Sequence, residues 1–186
     1  MTRKNPEETK IRTVVLGIGP TGTSIAQKLG VRHPDIHCFS VDYDTPAAAP
    51  SCKPQVIAFS KASTEYDATP LNAALAGADM VFIIVSPYEP DTHGLASLAS
   101  RTAHAEGVTS VALIPMAVCG LIFQGKTIVR IMQEHTDTVI PVSPYCSPNF
   151  PAASGVLDPE RDVRYAENAV YHTIDCLIRL ILDNLC

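Results

Sequence analysis

Short apolar runs rich in β-branched residues alternate along this chain with longer stretches in which apolar residues recur at helical spacing. This alternation is typical of a parallel sheet covered by helices on both faces. Most of the runs are too apolar to leave one face in water. The pattern therefore predicts a doubly wound, Rossmann-like α/β domain with a mainly parallel sheet of about six strands. The strands are predicted at Ile11 to Leu16, Ile36 to Val41, Gln55 to Phe59, Met80 to Val85, Ser110 to Ile114 and Thr138 to Val142.

The predicted helices lie between these strands, and the longest one closes the chain from Arg164 to Leu185. This last helix carries one polar stripe and is apolar around most of its circumference, which predicts that protein encloses it on two or more sides. The stripe consists of Asn168, His172, Asp175, Arg179 and Asp183. The shorter helices are predicted at Thr21 to Leu29, Pro70 to Ala76, Gly94 to Ala105 and Thr127 to Glu134.

Length and composition suit a single domain. The chain has 186 residues, of which 46% are hydrophobic and 18% charged, so we expect one globular unit over 11–186 after a flexible tail at 1–10. The tail lacks the apolar core of a secretion signal, and no apolar run approaches the ~20 residues that cross a bilayer, so a cytoplasmic protein is expected. A formal net charge of −5 argues against nucleic acid as a partner.

Cysteines and histidines show no spacing typical of a metal site. Six cysteines occur without a CxxC pair, and we expect free thiols, mostly buried. His33, His37 and Cys38 are close in sequence, but a proline and a predicted strand argue against a shared metal, so satisfied or solvated side chains are expected. No histidine has both a nucleophile and an activating third group at a recognisable spacing, so no catalytic residue is predicted.

A glycine-rich junction follows the first strand. Gly17, Gly19 and Gly22 satisfy the pattern GxGxxG between a strand and a helix, where glycines permit a tight turn and the helix N-terminus offers free N–H groups to a phosphate. Pro20 removes one donor, whereas Thr21 and Thr23 add hydroxyl groups or cap the helix. The junction predicts either a nucleotide-phosphate site or a tight turn that binds nothing.

Two aspartates follow the second strand. Asp42 lies about 20 residues after Gly22, where dinucleotide folds place a carboxylate for a ribose hydroxyl, and Asp44 is a second candidate. The alternative is that an acid at the end of a strand caps the next turn. If one of these carboxylates binds the ribose of a dinucleotide, the chain is an NAD(P)-binding oxidoreductase or sensor.

The order of segments resembles the N-terminal nucleotide-binding domain of the FtsZ/tubulin family. The resemblance rests on IRTVVLGIGPTGTSIAQKL, FSVDYDTPAAA, GADMVFIIVS, EGVTSVALIPMAV and EHTDTVIPVSPYCSPN, and covers about residues 11–185. It implies the strand order 3-2-1-4-5-6 and a closing helix equivalent to the family's central helix. It also implies GTP or GDP at the glycine-rich junction, with Ser86, Thr92 and Gly94 from the family's signature loop among the contacts.

That signature loop departs from the family. Where the family has GGGTGTG, this chain reads SPYEPDTHG, which retains Gly94 alone. Pro87 and Pro90 have no N–H to donate, and Glu89 and Asp91 place negative charge where phosphates would sit. A magnesium ion held by these acids would reconcile them with phosphate. The alternative is an ordinary loop in which the acids and Thr92 cap the next helix.

The resemblance also bears on activity and partners. The family's acidic catalytic loop and second domain have no counterpart in the printed sequence, so GTP hydrolysis is not expected. We expect a divergent FtsZ-like protein, with weak or lost guanine-nucleotide binding, that acts through protein contacts in cell division or the cytoskeleton. The partner is expected to be a second copy bound through the closing helix, or else a full-length FtsZ-like protein, and the contacts to include Leu177, Ile181 and Leu185.

Overall fold

The structure, a computed structural model, describes residues 11–43, 54–61, 66–116, 122–143 and 159–183. It contains a six-stranded sheet in which every neighbouring pair is parallel. The strands are β1 (Thr13–Ile18), β2 (His37–Tyr43), β3 (Gln55–Phe59), β4 (Met80–Val85), β5 (Thr109–Pro115) and β6 (Thr138–Val142). Their order is β3-β2-β1-β4-β5-β6, which confirms the predicted fold class and strand order.

Helices cover both faces of the sheet. They are α1 (Gly19–Arg32), α2 (Thr69–Leu75), α3 (His93–Ala105), α4 (Ile122–Gln133) and α5 (Pro159–Asp183), and a short 3₁₀ turn, Pro90–Thr92, precedes α3. One core cluster packs α2, α3 and α4 against the sheet, and a second packs α1 and α5 against the opposite face. Because successive strand residues alternate between these two clusters, the central strands are apolar throughout.

Several helices begin earlier than predicted. The first starts at Gly19 because Pro20 occupies the first helical turn, where its missing N–H costs nothing. The fourth starts at Ile122 and the fifth at Pro159, five residues before each predicted start. Within the described chain, none of the helices combines the length and apolarity needed to span a membrane.

The predicted polar stripe on α5 is only partly exposed. Asp175 is 6% exposed and lies at the contact with α1. Its Oδ1 accepts hydrogen bonds from Arg32 Nε and from His33 Nε2, each at 2.7 Å, and Arg179 Nη2 lies 3.1 Å from Oδ2. His33 is therefore a satisfied buried histidine, as the sequence indicated. Asp175 belongs to the predicted stripe and is buried, because basic groups of a neighbouring helix pair with it.

The cysteines that can be assessed are free thiols in contrasting positions. Cys38 is buried in the core cluster beneath α1, whereas Cys176 is exposed on α5. The remaining cysteines, together with Asp44 and Leu185, lie outside the described residues.

Replacing Asp175 with alanine is expected to lower the free energy of unfolding by about 1–3 kcal/mol, because buried His33 loses its hydrogen-bond acceptor. Both arginine side chains are 48% exposed and can turn to water, so they add little to the loss. Urea unfolding monitored by circular dichroism measures the change. The matched control is Asp35→Ala at an exposed position. Equal effects from the two variants would contradict this role for Asp175.

Candidate functional site

The glycine-rich junction lies at the carboxyl end of the sheet, between β1 and β4, where the strand order changes direction. Doubly wound sheets bind their ligands in the crevice at this point. The end of β1, the first turn of α1 and the loop after β4 form the junction. The structure brings together there the predicted residues Gly17, Gly19, Pro20, Thr21, Gly22, Thr23, Asp42, Ser86, Thr92 and Gly94, whereas Asp44 lies outside the described residues.

Close backbone packing requires the glycines of this junction. A Cβ on Gly17 would collide with the backbone carbonyl of Gly22, and a Cβ on Gly22 would lie 2.6 Å from the carbonyl oxygen of Ile84 in β4. Gly19 has a φ of 70°, a conformation that other residues rarely adopt. Backbone packing thus explains Gly17 and Gly22, and the positive φ explains Gly19, without any ligand.

The side chain of Glu89 occupies the N-terminal turn of α1. The backbone N–H of Thr21 donates a hydrogen bond to Glu89 Oε1 at 3.0 Å. The other carboxylate oxygen covers Gly19, where any Cβ would collide with it. A helix N-terminus attracts anions because its N–H groups are free and its dipole is positive there. In this chain the anion at that position is the protein's own carboxylate.

The hydroxyl groups of the junction are also engaged within the protein. Thr21 Oγ1 donates to Glu167 Oε1 on α5 at 3.3 Å, and Thr23 Oγ1 lies 2.5 Å from Ser40 Oγ on β2. Neither threonine caps α1, because the N-cap residue is Ile18 and no side chain caps it. A phosphate at this junction would have to displace both carboxylates from Thr21.

The loop after β4 forms its own hydrogen bonds. Thr92 Oγ1 donates to the Glu89 carbonyl at 2.8 Å, and Ser86 Oγ accepts the Tyr88 N–H at 3.2 Å. The expectation that Thr92 caps α3 through its side chain is wrong, because that hydroxyl is bound to Glu89. His93 Nε2 lies 3.2 Å from the Ser86 carbonyl, and burial lowers the pKa of His93. Gly94 follows in the first turn of α3 and is exposed.

A cavity of about 380 Å³ lies beside Glu89. Among the described residues, its lining includes three acids and one base: Pro20, Asp42, Tyr43, Lys61, Tyr88, Glu89, Pro90, Asp91 and Thr92. Lys61 Nζ lies 3.3 Å from Asp91 Oδ2 and 5.6 Å from the centre of the Tyr43 ring. The excess of carboxylates repels phosphate, since like charges raise each other's energy in a partly buried site.

The acidic surroundings also affect protonation. Burial raises the pKa of Glu89, and the charges of Asp42 and Glu167 raise it further, although the hydrogen bonds from Thr21 oppose this. Burial likewise raises the pKa of Glu167, and it raises the pKa of Tyr43, whose hydroxyl pairs with Tyr66 at 2.9 Å. The neutral forms of Glu89 and Glu167 are therefore more favoured here than in water.

Asp42 has a local partner at the end of β2. Its Oδ1 accepts the backbone N–H of Tyr43 at 2.7 Å, while the residue also lines the cavity. In the described part of the chain, no group of three or more histidine, cysteine or acidic residues is placed to hold a metal ion. Glu89 and Asp91 therefore lack a third ligand for magnesium among the residues described.

Sequence reasoning missed Glu167, Lys61 and the tyrosines of this site. Glu167 carried a usable signal, since it is a charged residue between Ala166 and Ala169, both of which are buried on α5. No sequence signal pointed to Lys61, Tyr43 or Tyr88. Their positions at the cavity depend on the path of the chain after β2, β3 and β4.

Sequence comparisons find no counterpart for this chain. No family model matches it, and no curated protein matches it. Two structures of M. jannaschii FtsZ, an empty dimer and a point mutant, match its fold with TM-scores of 0.68 and 0.70 at 17% and 19% identity. They cover 94% of this chain, which spans 56% and 58% of theirs. This chain has the FtsZ/tubulin fold.

A filament of PhuZ, a phage tubulin, also matches, with a TM-score of 0.52 at 12% identity over 92% of this chain and 56% of its own. At these identities the likeness shows the fold alone. The FtsZ fold confirms the resemblance stated from the sequence, and it does not favour the oxidoreductase alternative. The chain spans a little over half the length of the structures it matches.

The raised pKa of Glu89 leads to a prediction for the variant Glu89→Gln. A pKa raised above the ordinary 4.5 means that Glu89 contributes most to stability below that pH, and that this contribution is lost as pH rises through the folded-state pKa. Glutamine keeps the shape and does not titrate. The stability of E89Q relative to the unchanged protein is therefore expected to increase from about pH 4 to pH 7 in urea unfolding. Glu106→Gln, at an exposed position, is the control, and a flat or falling difference would contradict the prediction.

Proposed function

We propose that this FtsZ-fold domain acts through protein contacts and binds guanine nucleotide weakly or not at all. The observation that carries the proposal is the Glu89 carboxylate, which accepts the Thr21 N–H and covers Gly19. A place among cytoskeletal or cell-division proteins belongs to the same proposal and rests on the fold.

Two features support the loss of phosphate affinity. The helix N-terminus that would bind a phosphate already holds a carboxylate. Asp42 and Asp91 add negative charge to the neighbouring cavity, whereas Lys61 is paired with Asp91. Electrostatic repulsion and lost hydrogen-bond donors therefore act in the same direction.

Titration of GDP and GTP, with and without magnesium, into the unchanged protein is the first test. We expect no binding tighter than about 100 μM, because binding must displace Glu89 and place phosphates among carboxylates. Isothermal calorimetry measures the heat, and NAD serves as the comparison ligand. Tighter guanine-nucleotide binding would overturn the proposal.

Glu89→Ala tests the part played by that carboxylate. The variant frees the Thr21 N–H and removes one negative charge, so GDP affinity is expected to rise at least about tenfold. Asp91→Ala is the matched control. It removes a negative charge from the same cavity but leaves the Glu89 carboxylate bound to the N-terminal turn of α1. An equal gain in the two variants would assign the exclusion of nucleotide to net charge alone.

The protein contact in this proposal is self-association through α5, as a homodimer. Leu180 is 59% exposed on this helix, whereas Leu177 and Ile181 pack partly against the core cluster beneath α1. Of the contacts expected from sequence, Leu177 and Ile181 thus keep only part of their surface for a partner. Exposed apolar surface on a helix is typical of protein interfaces. The FtsZ dimer and the PhuZ filament support self-association as the mode of contact.

Leu180→Asp is expected to shift the protein toward monomer by at least tenfold in dissociation constant, because a carboxylate replaces apolar contact area (about 1.4 kcal/mol per tenfold). Sedimentation equilibrium measures the change. Asn168→Asp adds the same charge at an exposed position of the same helix and is the control. A monomeric unchanged protein at micromolar concentration would contradict the homodimer, and a full-length FtsZ-like protein would then be tested as partner.

A further inference from the structure

A second cavity, of about 340 Å³, lies at the opposite end of the sheet from the glycine-rich junction. It opens beside the amino ends of β2 and β3 and the residue that precedes β1. The described residues that line it are Arg12, His37, Phe39, Gln55, Val56, Ile57, Pro70, Ala73 and Ala74. We call it the amino-end cavity. One wall is α2, whose seven residues are too few to cover the end of the sheet.

Strand alternation explains why polar groups surround an apolar floor. Arg12, His37 and Gln55 each lie two residues before an apolar residue of one core cluster, namely Val14, Phe39 and Ile57 respectively. Residues two apart on a strand share a face, and the strand register places Val14 beside His37 and Phe39 beside Gln55. A guanidinium, an imidazole and an amide thus border one side of the cavity.

The Arg12 guanidinium has N–H donors that are only partly used by the described residues. Its Nη1 donates to the Ala76 carbonyl at 2.5 Å, while its Nε is buried without an acceptor among the described residues. Asp79 accepts the backbone N–H of Arg12 at 2.7 Å but does not line the cavity. Of the described lining residues none is acidic, although the chain as a whole has a net charge of −5. A guanidinium has five N–H donors, so Arg12 retains donors for an acceptor that enters the cavity it lines.

We propose that the amino-end cavity binds a small carboxylate with an apolar body. The carboxylate receives hydrogen bonds from the Arg12 guanidinium, a donor whose geometry suits that group. His37 and Gln55 add donors at the rim, and the apolar body contacts Phe39, Pro70 and Ala74. A volume of about 340 Å³ lies at the lower end of the range for small-molecule sites. The absence of acids from the described lining favours an anion over a cation.

Binding of pentanoate, with pentan-1-ol as its uncharged match, tests this proposal. Two-dimensional NMR titration of the unchanged protein is expected to give saturable shifts at Arg12, His37 and α2, with pentanoate binding at least about tenfold tighter than the alcohol. Equal affinities, or no saturable shift at these residues, would overturn the proposal.

Variants then locate the site. Ala73→Leu fills the cavity without touching Arg12 and is expected to weaken pentanoate binding about tenfold. Asn72→Leu also introduces a leucine side chain, at an exposed residue of α2 outside the cavity, and is expected to leave the affinity unchanged.

The variant Arg12→Gln tests the role of the guanidinium and is expected to remove the preference for pentanoate over pentan-1-ol. Equal weakening by the Ala73 and Asn72 variants, or a preference retained without Arg12, would contradict the assignment. Glu89→Ala should leave pentanoate binding unchanged, which separates this test from that of the proposed function.

Discussion

The close approach of three backbone segments places the N-terminus of α1 where a negatively charged group can bind to it. The end of β1 touches the first turn of α1 at Gly17 and Gly22, and that turn touches β4 at Ile84. No side chain fits between these segments. Because α1 begins directly where β1 ends, its free N–H groups lie at the carboxyl end of the sheet. The loop after β4 emerges beside them, and its carboxylate reaches Thr21. A positive helix end at this position binds whatever negative group the chain or the solvent supplies.

The same geometry suits a phosphate and a carboxylate, and this similarity makes Glu89 informative. Burial disfavours the charged form of Glu89 and is the largest effect, whereas the hydrogen bonds from Thr21 favour that form, and the net result is a raised pKa. Asp42 and Glu167 add repulsion. A ligand with two or more negative charges would meet the repulsion in full and gain the hydrogen bonds only after Glu89 had left. An internal carboxylate is therefore the less costly occupant of the turn.

Sequence reasoning predicted the fold well, because hydrophobic periodicity and strand burial are local properties of the chain. The exact spans of β3, β4 and β6 agree with the structure. The strand order also agrees, and it was implied by the resemblance to the FtsZ/tubulin family and not by periodicity. The site was predicted in part. The glycine pattern located the junction. The prolines and acids of the loop after β4 predicted weak phosphate binding. Glu167 and Lys61 approach the site only through tertiary contacts. Helical spacing placed Asp175 on the polar stripe, but spacing alone does not show that this charge meets α1.

Contacts from α5 at both ends of α1 make these two helices one unit. Glu167 accepts a hydrogen bond from Thr21 in the first turn of α1, and Asp175 holds Arg32 and His33 at its end. The intervening residues of α5, among them Val170 and Ile174, are buried against the same face of the sheet as Ile25 and Leu29. Interiors packed at this density leave little room for one helix to shift without its neighbour. Through these contacts α5, on which we propose the partner surface, also forms part of the glycine-rich junction at Thr21.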